Sequence, residues 1–108
     1  YGSEFSEAEI ELHYKDRTQA VGLEWLRQEH EATRLVAVEA LTKSDSRWAL
    51  PDIINMLDDD FLLNRQFTQK GLESMLSIDL AKEFGYWFYL DKEERTRSML
   101  RVKEQFSK

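Results

Sequence analysis

Residues 49–72, "ALPDIINMLDDDFLLNRQFTQKGL", set three consecutive acids between two apolar runs, and the reading of Asp58, Asp59 and Asp60 decides the fold. A calcium loop alternates its carboxylates and closes with a distal glutamate, because oxygens must surround the ion. Three adjacent acids lack that pattern and predict instead a corner between two helices. Before the corner, "RWALPDIINML" has helical spacing, with Pro51 acceptable in the first turn, where its missing amide costs no intrahelical bond. After it, "FLLNRQFTQKGLESML" opens the next helix, whose exposed amides a corner aspartate can cap.

The same alternation extends in both directions. Upstream, "ATRLVAVEAL" is helical through Leu35, Val38 and Leu41, with Ala37 and Ala40 small enough for close contact. The polar "QEHE" precedes it and the breakers "TKSDS" follow it. A helix from about Thr18 to about Glu29 is expected to turn Val21, Leu23, Trp25 and Leu26 inward, opened by a box-like Asp16 and Gln19. A Ser6-x-x-Glu9 capping box predicts a still earlier helix with Ile10 and Tyr14 on its apolar edge. Downstream, Asp91-x-x-Glu94 opens a last helix over "DKEERTRSMLRVKEQF". "GYWFYL" is the only stretch that competes as a strand.

Arg65 stands 31 residues after Arg34, and the small or polar Ala37 and Ala40 recur at the same offsets as Thr68 and Gly71. Carried backwards, that offset pairs Leu23 with Ile54, Trp25 with Met56, Leu26 with Leu57 and His30 with Phe61. Two helix pairs in register predict a helical repeat, in which each pair covers the apolar face of its neighbour.

On these residues the chain resembles the HEAT-repeat family, in its short-period bacterial, phycobilisome-lyase-like form. "ALPDIINMLDDDFLLNRQFTQKGL" is similar to a first helix, an acidic corner and a second helix opening with arginine and small residues, and "ATRLVAVEAL" repeats the second half. The tail "FGYWFYLDKEERTRSML" more loosely resembles the family's closing segment. Asn64 departs from the usual valine, Thr68 and Gly71 from alanines, and "QEHE" lacks the corner aspartate. The resemblance implies an all-α, right-handed superhelix of about three helix pairs. It also implies that Arg34 and Arg65 make structural bonds between repeats, to a corner aspartate such as Asp58.

Composition limits the alternatives. A chain of 108 residues, 42% hydrophobic and 33% charged, is expected to form one domain over 6–108. Residues 1–5, "YGSEF", read as a cloning remnant, which makes the chain a fragment of something larger. Four glycines and one proline favour helices over many short strands. The absence of cysteine removes disulfides, thiolate metal sites and a cysteine nucleophile together. A net charge of −6 opposes nucleic acid and anionic lipid, and no run is long enough to span a membrane. A soluble monomer is expected, in the cytoplasm or, if a parent protein carries a signal peptide, the periplasm.

No catalytic motif is visible. His13 and His30 are too scattered for a metal site, and no glycine-rich phosphate loop or serine elbow occurs. Glu73, Asp79 and Glu83 would have to be buried beside Asp58 to work as acid and base, and nothing in their spacing predicts that. No cofactor is expected. Phe84, Tyr86, Trp87, Phe88 and Tyr89 after Gly85 read as a lid on the terminal repeat, or as anchors for a partner. Arg95, Arg97, Arg101 and Lys103 give the last helix a basic, solvated face, with Met99, Leu100, Val102 and Phe106 inward.

The expected function is a non-enzymatic scaffold that binds another protein, basic or amphipathic, on the concave face through Glu39, Gln69 and Glu73, with Trp87 and Tyr89 at one end. Two rivals come from the resemblance: a DNA glycosylase-type nucleic-acid binder, and an accessory protein for tetrapyrrole attachment. A simple helix bundle whose repeats are coincidental is the third alternative.

Overall fold

The computed structural model describes residues 24–106. The expected Ser6 and Asp16 caps, Ile10, His13, Tyr14, Val21, Leu23 and residues 1–5 lie outside the described residues. Residues 24–26 are helical. The elements that follow are α1 (Glu31–Lys43), α2 (Leu50–Asn55), α3 (Leu62–Leu76), α4 (Leu80–Phe84) and α5 (Lys92–Phe106). Short 3-10 turns, Arg47–Ala49 and Met56–Asp58, flank α2. The described residues are all-helical, without a strand, and no helix among them is long and apolar enough to cross a membrane.

Start signals act at α2, α4 and α5, whereas α1 and α3 begin without a side-chain cap. Pro51 falls in the first turn of α2, where it costs no bond. Asp91 accepts from the Glu94 amide at 2.9 Å and starts α5 as its capping box predicts. Asp79 accepts from the Lys82 amide at 3.0 Å and starts α4. At the end of α4, Gly85 adopts φ 66°, a left-handed conformation that costs other residues about 1 kcal/mol or more. That turn sends Tyr86 straight into the core.

Helix α1 packs along α3, while α2 and the turn Met56–Asp58 pack on both α3 and α5. Val38, Ile53, Ile54, Leu57, Leu72, Leu80, Tyr86 and Val102 are completely covered. Leu26 is buried but Trp25 is 43% exposed, which corrects the inward assignment of both. Neighbouring residues on a helix point about 100° apart, so at the edge of a buried stripe one can face in while the next faces out. Leu100 is likewise exposed, whereas Met99 and Val102 are buried and Phe106 packs edge-on against Phe84 at 5.8 Å.

The inward stripe of α3 is polar over its first half: Asn64, Arg65, Thr68 and Gln69 are all buried. Every buried side-chain nitrogen and oxygen among the described residues has a partner, so this polarity is satisfied. The departures at Asn64 and Thr68 thus have local causes. Asn64 donates to Glu31 O and to Asp59 Oδ2, both at 3.1 Å, and Thr68 Oγ1 donates to Asn64 O at 2.7 Å.

At Gly71, α3 lies close against Thr42 of α1. A Cβ there would lie 2.7 Å from Thr42 Oγ1 and 2.9 Å from its Cγ2. Thr42 cannot swing aside freely, because its hydroxyl is bonded to Val38 O at 2.8 Å. Gly71→Ala gains about 1 kcal/mol of helix propensity but forces an overpacking that typically costs about 1–3 kcal/mol. A net loss of about 1 kcal/mol is expected in urea unfolding, relieved in the Gly71→Ala, Thr42→Ala double variant; a more stable single variant would contradict this packing.

Candidate functional site

Three helices begin alike. Arg34, Arg65 and Arg95 are each the fourth residue of α1, α3 and α5, and each turns back to a main-chain carbonyl five or six residues upstream. Arg34 Nη1 donates to Gln28 O and Glu29 O at 2.8 and 2.7 Å. Arg65 Nη1 donates to Asp59 O at 2.8 Å, and Arg95 Nη1 to Leu90 O at 3.2 Å. The other guanidinium nitrogens reach across to a different corner.

Arg34 grips Asp59 with two bonds, at 2.8 and 3.2 Å, and lies 5.6 Å above the Phe61 ring. Arg65 Nε donates to Phe88 O at 3.0 Å. Arg95 Nε donates to Asp58 Oδ1 at 2.9 Å. The corners around residues 28–31, 58–61 and 88–90 are therefore laced into one continuous edge.

Each aspartate of the triplet has its own place. Asp59 accepts from the Phe61 amide at 3.1 Å, one residue before α3, and the expected aspartate cap on the amides of α3 itself is not made. Asp58 caps nothing; Lys92, Arg95 and Thr96 of α5 surround it at 3.1, 2.9 and 2.8 Å. Burial opposes its ionisation, but the hydrogen bonds from Thr96, Lys92 and Arg95, with the Lys92 charge, outweigh it and hold the carboxyl below its ordinary value. Asp60 is exposed. No three metal-ligating side chains converge among the described residues. Arg34 thus bonds Asp59 rather than Asp58, and Arg65 bonds carbonyls rather than an aspartate. Arg95 carries the link to Asp58 instead.

Arg95 was missed in the sequence because it follows Arg65 by thirty residues rather than 31. The strict offset lands on Thr96, which also reaches Asp58. One residue fewer between corners hides the equivalence, and the signal that survives is an arginine at the fourth position of a helix.

The carboxylates weighed for acid and base chemistry serve as caps. Glu73 Oε2 accepts from the Leu80 amide at 2.9 Å and from Gln69 at 3.4 Å, and Glu83 Oε2 accepts from the Asp79 amide at 2.9 Å. Gln69 is buried and its Oε1 accepts from the Phe88 amide at 3.2 Å. Gln69 is therefore held inside the fold, and Glu73 is half-buried with its carboxylate engaged by the chain itself. Glu39 lies apart from them, in an open cleft of about 360 Å³ between α1 and α3 with Lys43, Phe67 and Lys70.

The aromatic segment alternates. Tyr86 and Phe88 are buried, while Trp87 and Tyr89 stand out, so half the expected lid faces solvent. Tyr86 donates its hydroxyl to Leu57 O at 2.6 Å, and burial pushes its pKa above the usual phenol range against the nearby Arg65 and Arg95 charges. Trp87 and Tyr89 ring centroids lie 6.3 Å apart. Phe61, Leu62 and Leu63, at the neighbouring corner, are also exposed, although the sequence offered them only as the start of a helix. The basic face of α5 is largely spent: Arg95 is buried, Arg101 donates to Phe84 O at 2.7 Å, and Lys103 to Asn55 Oδ1 at 2.8 Å.

Comparison with protein-family models, with curated proteins and with solved structures returns no match.

Proposed function

We propose that the chain is a non-enzymatic protein-interaction domain, a short HEAT-like right-handed superhelix of about three helix pairs, and that it meets its partner along the laced corner edge. The observation that carries this reading is the exposure of Phe61, Leu62, Leu63, Trp87 and Tyr89, between 43 and 65% each, on a frame of buried hydrogen bonds. Rigid aromatic groups lose little entropy on binding and dominate interface energetics. The equivalent positions of Arg34, Arg65 and Arg95 support the repeat architecture. Among the described residues Glu73, Asp79 and Glu83 act as main-chain caps and Asp58 as an ion-pair partner, which favours a binding role over an acid–base one.

The reading is tested by quantitative affinity capture with the wild-type chain and a Trp87→Ser, Tyr89→Ser variant as paired baits. Proteins retained by the wild type and lost from the variant are expected. Equal capture by both baits would move the contact to the cleft around Glu39. A salt-steep, nanomolar titration with duplex DNA would replace the reading by the nucleic-acid one.

A further inference from the structure

We infer that the corner edge is built for a lysine- or arginine-rich amphipathic segment of a partner protein, with apolar anchors seated between the Phe61–Leu63 corner and the Trp87–Tyr89 loop. This rests on the interaction-domain reading and adds the chemistry of the partner. The argument is one of charge. Among the described residues the cations bonded at the corners are engaged within the chain: Arg27 with Asp52, Arg34 with Asp59, Lys92 and Arg95 with Asp58, and Arg65 with carbonyls, while the exposed Arg97 lies beside Leu90 at one end. Glu29, Glu31, Asp60 and Glu93 flank the same corners, all exposed, and none of their carboxylates meets a cation among the described residues.

Four exposed acids against Arg97 leave the exposed apolar side chains of this edge rimmed by an excess of negative charge. An acidic or neutral partner would add like-charge repulsion or leave the rim unanswered; a basic one neutralises it and gains ammonium or guanidinium contact with the Trp87 and Tyr89 faces. Geometry favours a short rigid segment, since Arg65 and Gln69 fix the loop main chain at Phe88 from below. The α1/α3 cleft has the opposite balance, with Lys43 and Lys70 against Glu39.

The test uses the 108-residue chain, isotope-labelled for NMR, and three synthetic helical peptides of about five turns. One carries a leucine stripe with lysine elsewhere, one the same stripe with glutamate, and one the first composition scrambled to abolish the stripe. Saturable shifts at Phe61–Leu63 and Trp87–Tyr89 are expected with the leucine–lysine peptide alone. They should weaken roughly tenfold in Trp87→Ser and also in Asp60→Asn with Glu93→Gln, with unfolding midpoints unchanged. Equal binding of the glutamate or scrambled peptide, or no binding of any, overturns the inference. Shifts centred on Lys43, Phe67 and Lys70 overturn it too, while leaving the interaction-domain reading in place.

Discussion

Asp58→Ala is expected to lower the free energy of unfolding by about 2 kcal/mol, less than the ~3–5 kcal/mol of a fully buried ion pair, because the Asp58 side chain is only partly buried. Its partner Arg95 has a side chain only 8% exposed and would be left charged without a counter-ion. Lys92, 67% exposed, adds little, because water screens such a pair. The loss is therefore Arg95's, and an Arg95→Met, Asp58→Leu double variant should recover much of it.

The same carboxylate gives stability an acid limit. Its folded pKa lies below the unfolded value, so its contribution is complete above about pH 4 and disappears as pH falls towards the folded value. Urea midpoints measured from pH 7 downward should fall more steeply in wild type than in Asp58→Asn, which cannot titrate. Parallel curves for the two proteins would show that the Asp58 cluster contributes nothing measurable.

Arg65→Ala should cost about 3 kcal/mol, because the buried Phe88 O and the part-buried Asp59 O lose a charged donor at once. Arg65→Met retains most of the packed stem and isolates the hydrogen bonds, and should lose nearly as much. Arg65→Lys restores only part, since one ammonium cannot match the two fixed directions of a guanidinium fork. The Phe88 and Tyr89 amides should exchange faster with solvent in all three variants. Wild-type exchange at those amides would place the stiffness of the loop elsewhere.

The acidic corner was legible as a corner because a sequence pattern of adjacent acids fails metal geometry whatever the surroundings. What each acid does was not. Asp58 and Asp59 are neighbours, yet one faces α5 and the other Arg34 of α1, a division made by which helix packs on which side. Gln69, which is buried, and Glu73, which is half-buried, illustrate the opposite case. Register alone put them on an open face, whereas the 86–90 loop and the start of α4 fold over them and use their side chains as main-chain partners.

Residue order and spacing determined that the described chain would be helical, where Pro51 and Asp91 would start helices, and that Arg34 and Arg65 stand at matched positions. Those properties are local: they depend on the geometry of one turn and on which groups lack an intrahelical bond. Tertiary packing alone decided that Arg95 joins the same series, that Trp25 faces out, and that Tyr86 and Phe88 point in while Trp87 and Tyr89 do not. Such choices depend on contacts between residues distant in sequence, whose burial and hydrogen-bond partners exist only once the helices have met.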